Sequence, residues 1–268
     1  MNKIKILLIS IFSVLVFVSN AYAKTNIEFT TCSDNNKIIE FMFIDAMGNK
    51  TGYDGQTKQI IKDNYPNMQY GGSGSSDPDS GDVNLCSKVI GSVPTPSYLQ
   101  PFKIIVSGLQ LNKYEIDFTT GESTDYNWRA KYLYSNIKGW IDIGQQHTYE
   151  IMYTPYQPVQ ITRIATSTDL IADITTAQKL NLIGSSEFVS EITRKINKIE
   201  EKRLKPAQKD KDDDKNGLTP AQKAKKEYQE LLNEITEKYN KPESDEFVKQ
   251  EAYTVLREDL EYIIGHIQ

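Results

Sequence analysis

The pattern of apolar residues changes at residues 154–160, which read Thr-Pro-Tyr-Gln-Pro-Val-Gln. Before this segment, apolar and polar residues mostly alternate in short runs bounded by Gly, Asn, Asp and Pro, which is typical of strands. After it, apolar residues recur every three or four positions, as on one face of a helix. Two prolines in seven residues disfavour both a helix and a central strand. We therefore predict a hinge over residues 154–166.

The alternating part predicts an all-β antiparallel sandwich over residues 24–153, with about eight to ten short strands separated by turn residues. Its clearest alternation follows the turn-prone segment 120–123, where four aromatic residues share one parity while Arg129 takes the other. These aromatic residues are Tyr126, Trp128, Tyr132 and Tyr134. A row of this kind is either one wall of the sandwich core or a platform on which sugar rings stack, and the core is the commoner outcome.

The periodic part, residues 167–268, predicts four helices that each carry one apolar face. Capping residues predict where they begin: Thr166, Ser185, Thr219 and Ser244. Thr219 is followed by proline and then by Gln222, which completes a capping box. Because each apolar face needs partners, we expect an up-down four-helix bundle, with a charged linker over residues 204–218. The fold class predicted from the sequence is thus two-domain, with the sandwich before the bundle.

The N-terminus has the pattern of a cleaved signal peptide over residues 1–23. Lys3 and Lys5 precede an apolar run from Ile6 to Val18, and Ala-Tyr-Ala ends the segment. The apolar run is short for a membrane span, so a retained N-terminal anchor is the less favoured alternative. We expect a mature chain that begins near Lys24, has no stable membrane span and is secreted or periplasmic.

The charge balance argues against nucleic acid as a partner. The whole chain has a formal net charge of −5, and loss of Lys3 and Lys5 with the signal leaves 29 of the 31 basic residues against 36 acidic ones. A mildly acidic protein without a basic block disfavours both nucleic acid and an anionic membrane surface. An envelope polymer or another exported protein is the expected partner.

Cys32 and Cys86 are the two cysteines of the chain. In an exported protein an even pair predicts a disulfide, here closing a loop of about 55 residues. Two free thiols or half of a metal site are the alternatives. The metal alternative lacks ligands, because His147 and His266 are the only histidines in the sequence.

The linker between the second and third predicted helices contains the most metal-like motif of the chain. Asp212, Asp214 and Asn216, followed by Gly217, match the first half of a calcium loop. The position that supplies a bidentate glutamate in such loops is Lys223. The pattern favours a solvated, charged linker with no cofactor, and calcium is the alternative.

Two segments resemble parts of secreted bacterial proteins. Residues 43–54, with their Thr-Gly-Tyr-Asp turn, and the strand 101–108 resemble an accessory β-sandwich that is attached to other modules. Residues 180–196, reading Leu-Asn-Leu-Ile-Gly-Ser-Ser at their start, and the helix pair at 224–231 and 253–256 resemble the FIMAH domain, a C-terminal helical module. The polar run of that family is replaced here by residues 233–238, and the linker is longer. The resemblance implies an accessory binding or spacer role and no catalytic residue.

No catalytic motif is present in the sequence. It lacks a Gly-x-Ser-x-Gly elbow, a phosphate-binding loop and a His-Glu-x-x-His zinc motif. His147 lies in a tyrosine-rich predicted strand, where a histidine is usually structural or on the surface. We expect an exported, non-catalytic binding or adhesion-type accessory protein that recognises a glycan or envelope polymer through the sandwich. A protein–protein assembly subunit or inhibitor is the alternative.

Overall fold

A computed structural model describes residues 24–34, 39–62, 68–76, 83–93, 101–124, 127–154, 157–204, 218–241 and 245–268. The predicted signal peptide, residues 1–23, lies outside these residues. The described part of the chain forms eleven strands: β1 (Lys24–Asp34), β2 (Ile39–Ile44), β3 (Lys50–Asp54), β4 (Gln59–Lys62), β5 (Met68–Ser76), β6 (Val83–Val93), β7 (Phe102–Gly108), β8 (Asn112–Thr124), β9 (Asn127–Ile141), β10 (Gln146–Met152) and β11 (Gln160–Ile164). They are followed by four helices: α1 (Ser167–Lys179), α2 (Ser186–Leu204), α3 (Pro220–Tyr239) and α4 (Gln250–His266).

The strands form two antiparallel sheets. The first has five strands in the order β5-β6-β1-β8-β9, and the second has six strands in the order β11-β10-β7-β2-β3-β4. Strand β11 lies within the predicted hinge and pairs with β10, with Tyr149 opposite Arg163. The segment that follows the β pattern therefore extends the second sheet up to the start of α1.

A compact apolar cluster fills the space between the sheets. It combines buried residues of β2 and β7 with residues of β8, β9 and β10. Its members at the alternating positions of these strands include Ile39, Phe41, Phe43, Ile104, Val106, Ile116, Phe118, Ile137 and Ile151. The alternation of apolar residues that is visible in the sequence thus places one face of each strand in this cluster.

The helices form a second apolar cluster, and this cluster includes a residue of the β part. Leu170, Ile192, Leu231 and Leu256, one from each helix, are all buried in it. Trp140 of β9 belongs to the same cluster and is 2% exposed, with its indole Nε1 donating to the Asp173 carbonyl at 3.1 Å. Strand β9 therefore contributes its end to the helical core.

The predicted fold class, an all-β sandwich separate from an all-α four-helix bundle, is wrong. The structure is a mixed α/β architecture in which sheets and helices share buried contacts. Strand β9 contacts α1, β11 contacts α4, and the buried Arg163 of β11 lies against aspartates of both helices. The prediction assumed that each apolar pattern packs only within its own module. The domain boundaries at 24–153 and 167–268 stay a prediction.

The helix starts follow the sequence signals at α1, α2, where the Phe188 amide donates to Ser185, and α3, and they differ at α4. Capping boxes are formed at α1 by Thr166 with Asp169 and at α3 by Thr219 with Gln222. Helix α4, however, begins at Gln250. Val248 precedes the helix and pairs with Ile183 in an isolated bridge. Residues 242–244, including the predicted cap, lie outside the described part.

Candidate functional site

Strands β8 and β9 present a polar surface on the side away from the sheet–sheet core. Along β9, Asn136 and Lys138 are exposed, whereas Ile137, Gly139 and Ile141 are buried. Strand β8 alternates in the same way, and the register places its exposed Glu115 and Asp117 opposite Lys138 and Asn136. We call this surface the outer face, defined by Glu115, Asp117 and Thr119 of β8 and Tyr134, Asn136 and Lys138 of β9.

Hydrogen bonds organise the polar groups of the outer face. The Asn136 amide donates to the Glu115 carboxylate at 2.6 Å and to the Asp117 carboxylate at 2.8 Å. The Lys138 ammonium lies 3.1 Å from the same Glu115 oxygen that accepts from Asn136. The hydrogen bond from Lys138, followed by that from Asn136, lowers the pKa of Glu115. The face thus carries an ordered row of donors and acceptors that are open to solvent.

Tyr134 supplies the aromatic group of this face and is 73% exposed. It lies opposite Thr119 in the register and two residues before Asn136. Trp128 and Tyr132 belong to the same strand and share its parity, but the structure describes only their backbone. Tyr126, the remaining candidate, lies outside the described residues. The structure therefore shows one of the four predicted contact residues at the surface.

A cleft opens where the outer face meets helix α4. It encloses about 540 Å³ between the start of β8, the end of β9 and the first turns of α4. Trp140 and Val255, both buried, form its apolar side. Lys113 and Glu251 close one rim with an ion pair of 2.5 Å that joins strand to helix. The cleft is continuous with the outer face because Glu115 and Lys138 belong to both.

A group of buried polar residues lies behind the cleft, where both sheets meet two helices. We call it the buried seam, which consists of Tyr114, His147, Tyr149, Arg163, Asp173 and Asp259. The side chains of His147, Asp173 and Asp259 have no exposed area, and that of Arg163 is 2% exposed. Such burial requires that nearly every charge and polar atom find a partner.

Asp173 is the centre of the buried seam. Its Oδ1 atom accepts from Gln145 Nε2 at 2.5 Å and lies 3.0 Å from His147 Nε2, while its Oδ2 atom accepts from Arg163 Nη2. Arg163 Nε is also 3.0 Å from Asp259 Oδ1, in a geometry that does not form a hydrogen bond. One guanidinium therefore holds aspartates from α1 and α4 at the edge of the second sheet.

The contacts of His147 fix its protonation state. Burial lowers the pKa of His147, so its ring is neutral. Its Nε2–H donates to the Asp173 carboxylate, and its Nδ1 accepts from the Tyr114 hydroxyl at 2.8 Å. The Tyr114 and Tyr149 hydroxyls are 2.6 Å apart, and burial raises the pKa of Tyr149 to about 12. The resulting series of hydrogen bonds runs from Tyr149 through Tyr114 and His147 to Asp173, and both tyrosine hydroxyls are protonated.

The two aspartates of the seam hold one negative charge between them. Burial alone would raise the pKa of Asp173, but Arg163 and His147 lower it to about 2. Burial raises the pKa of Asp259 well above its ordinary value, and Arg163 offsets this rise only in part. One cation, one carboxylate and one protonated carboxyl give a neutral buried group, which avoids the cost of an unpaired charge. The seam is closed to solvent, so its chemistry is to join and orient the layers.

Sequence reasoning considered His147 but missed Asp173, Asp259 and Arg163. A signal was present in the helical spacing. Asp173 lies three residues after Leu170, and Asp259 lies three residues after Leu256, so both occupy the apolar faces of their helices. A charged residue at such a position predicts a buried partner, since an unpaired carboxylate there would be costly.

The structure describes the other predicted sites only in part. The register places Cys32 directly opposite Cys86 in the antiparallel pair of β1 and β6, and only their backbone is described. Asp212, Asp214 and Asn216, together with most of the linker 204–218, lie outside the described residues. Within the described ranges, no group of three or more His, Cys, Asp and Glu side chains is arranged to hold a metal ion.

Comparisons of the chain with protein-family models, curated proteins and solved structures give no match. The resemblance to the FIMAH domain and to an accessory β-sandwich therefore stays a prediction. In the part of the chain that the structure describes, no helix has the length and apolar character needed to cross a bilayer.

Proposed function

We propose that this protein is an exported, non-catalytic binding protein that recognises a glycan or envelope polymer across the outer face. The observation that carries the proposal is the 73% exposure of Tyr134 beside the ordered amide and carboxylates of Asn136, Glu115 and Asp117. Sugars are bound by aromatic rings that cover their apolar faces and by polar groups that bond to their hydroxyls. The outer face combines both on two rigid strands.

The proposal that the protein is non-catalytic is supported by the position of its carboxyl groups. Asp173 and Asp259 form the pair with the strongest opposed pKa shifts, and a pair of that kind would suit acid–base catalysis. Both side chains have no exposed area, so neither reaches a polymer. The carboxylates of the outer face are instead open to water and engaged by Asn136 or Lys138.

The proposal is tested by co-sedimentation of the mature protein with insoluble envelope polymers, with Tyr134→Ala as the test variant. We expect the variant to keep its melting temperature, because the ring is exposed, and to lose about tenfold or more in affinity. Tyr262→Ala on α4 is the control, since this ring stacks on His266 at the far end of the helix. Unchanged retention of Tyr134→Ala would contradict binding at the outer face.

Trp128→Ala and Tyr132→Ala separate the two interpretations of the aromatic row. If these residues extend the outer face, both variants lose polymer retention and remain folded by circular dichroism. If they belong to the core, both lose about 3 kcal/mol or more of unfolding free energy. The second outcome would restrict the polymer site to Tyr134 and its polar neighbours.

A second candidate function, recognition of another exported protein, is favoured by the position of β9. This strand of fifteen residues pairs with β8 and forms one edge of the five-stranded sheet in the described part of the chain. An edge strand can accept a strand from a partner. A defined protein retained by the full chain and lost on Ser135→Pro would support this function, whereas polymer retention that survives this variant would argue against it.

Export is supported by the register of the cysteines. Directly opposed residues of antiparallel strands have Cα atoms about 4.5 to 5.5 Å apart, which falls within the range of a disulfide. We expect a Cys32–Cys86 disulfide in protein purified from the periplasm or medium, detected as the absence of titratable thiol. Two titratable thiols in unreduced exported protein would contradict the disulfide.

A further inference from the structure

The cleft at the end of the outer face has the composition of a ligand site. Its volume of about 540 Å³ lies within the usual range for small-molecule pockets, which are mostly apolar with a few polar groups at defined positions. Trp140 and Val255 supply the apolar side, and Gln250 and Thr254 of α4 supply amide and hydroxyl groups opposite the strands. The site is built by the first sheet together with a helix.

The charges on the rim of the cleft cancel in pairs. Lys113 is paired with Glu251 across the cleft at 2.5 Å, and Lys138 is paired with Glu115 along the strands at 3.1 Å. Two cations and two anions at half-exposed positions leave no net charge to attract a polyanion or a polycation. A ligand of this cleft is therefore expected to be uncharged, with hydroxyl or amide groups for the rim.

The cleft and the outer face form one continuous track. Glu115 accepts from Asn136 on the outer face and is paired with Lys138 at the rim of the cleft. From Tyr134 to Trp140 the strand covers six residues, or about 20 Å at the usual rise per residue. This length exceeds a single sugar ring, so a chain that lies on Tyr134 can place a later unit in the cleft.

We propose that the cleft binds one unit of an uncharged glycan chain that runs along the outer face, with helix α4 as one wall of the binding site. This inference rests on the proposed function and assigns the ligand class and a binding role for the helical part. The helix contributes Gln250 and Thr254 to the ligand, while the buried seam holds α4 against β11 through Asp259 and Arg163. The helices are then part of the recognition surface rather than a spacer.

The experiment measures calorimetric affinities of the full mature chain for two soluble probes, oligomers of β-1,4-linked N-acetylglucosamine and oligogalacturonate of the same length. Thr254→Trp fills the cleft, and Gln250→Ala removes an exposed amide at its rim without adding bulk. Glu261→Trp, at an exposed position on the same helix, is the control for an added ring. Circular dichroism and melting temperature check the fold of each variant.

We expect the wild type to prefer the neutral oligomer, with a loss of about tenfold or more for Thr254→Trp, a smaller loss for Gln250→Ala and none for Glu261→Trp. If Tyr134→Ala weakens binding while both cleft variants bind like the wild type, the cleft inference is overturned and the proposed function stands. Preference for the anionic oligomer, or retention of a polymer without binding of the neutral oligomer, overturns the uncharged class. If Tyr134→Ala has no effect on any ligand that is bound, the proposed function itself fails.

Discussion

The buried seam and the outer face contain the same kinds of residue in opposite surroundings. Each combines tyrosine, carboxylates and a cation, and the two regions meet at Tyr114 and Glu115, which are neighbours on β8. The charged side chains of the seam are at most 2% exposed, whereas Lys138 and Glu115 are 72% and 52% exposed. Because neighbouring residues of a strand point to opposite faces, Tyr114 lies in the buried seam and Glu115 lies on the outer face.

The difference shows that burial, rather than residue type, decides what these groups do. Breaking a buried ion pair by removing one partner leaves an uncompensated charge, whereas an exposed pair is screened by water and salt. The seam therefore determines how sheets and helices are joined, whereas residues of the outer face can be replaced with an effect on ligand binding rather than on the fold. Mutations in the two regions should differ in their effects on stability and on binding.

The largest effect is expected at Arg163, the only cation of the seam. Arg163→Met leaves the Asp173 carboxylate buried without its charge partner, so the free energy of unfolding should fall by about 3–5 kcal/mol. Urea denaturation followed by circular dichroism measures this change. Arg257→Met is the control, because Arg257 is exposed on α4 and 3.7 Å from Glu261. Equal effects of the two substitutions would remove the contrast between seam and surface.

A substitution at Gly139 disturbs the seam without altering a charge. A Cβ atom at this position would lie 2.8 Å from the Tyr114 ring and hydroxyl, which are held by His147 and Tyr149. Gly139→Ala should therefore reduce the unfolding free energy by about 1–3 kcal/mol through overpacking. Gly265→Ala near the end of α4 is the matched control, because nothing lies within 4 Å and alanine favours a helix. An unchanged unfolding free energy in Gly139→Ala would show that Tyr114 can leave the seam without destabilising the protein.

The raised pKa of Asp259 predicts a loss of stability as pH rises above the ordinary carboxyl range. The pKa of Asp259 is raised in the folded state, so its contribution is complete below its unfolded value and is lost as pH rises through the folded value. Between the unfolded and the folded value the folded state holds this proton and the unfolded state has released it, so stability should fall by about 1.4 kcal/mol per pH unit over that interval. The charged groups that act on Asp259 are Arg163, which lowers its pKa, and Asp173 and Asp169, which raise it.

The variant Asp259→Asn tests this assignment because its side chain cannot ionise. The fall of unfolding free energy as pH rises above the ordinary carboxyl range should become flatter in Asp259→Asn and remain in Glu261→Gln, an exposed change on the same helix. On the acid side, Asp173 has a lowered pKa, so its contribution is present above its unfolded value and is lost as pH falls toward 2. An unchanged slope in Asp259→Asn would assign the proton to another group.

The sequence predicted local structure better than it predicted the junction between the layers. Alternation identified the strands that carry Phe41 and Ile116, and capping residues identified the starts of α1 and α3, because these signals depend on neighbours in the chain. The seam depends on residues as distant as His147 and Asp259, which only the tertiary structure brings together. Arg163 lies within the predicted hinge and gave no local sign that it would be buried.

The candidate site was predictable only in part, for a related physical reason. Tyr134 was singled out by its parity with other aromatic residues, but parity alone does not tell which face is covered. Trp140 has the same parity as Tyr134 and is buried, because helix α1 covers that end of the strand. The cleft requires α4 as a wall, so no pattern along β9 could have predicted it.

The smallest effect on stability is expected at the exposed pair of Lys113 and Glu251. Glu251→Ala should change the unfolding free energy by less than about 1 kcal/mol, because both side chains are more than half exposed. The same substitution leaves Lys113 without its partner and gives the rim of the cleft a net positive charge. We therefore expect Glu251→Ala to raise the affinity for oligogalacturonate relative to the neutral oligomer, with Glu261→Ala as the unchanged control. The prediction would be contradicted if Glu251→Ala destabilised the protein as much as Arg163→Met does and left the preference between the two oligomers unchanged. The pair of Lys113 and Glu251 would then be structural, and the distinction between the two regions would be lost.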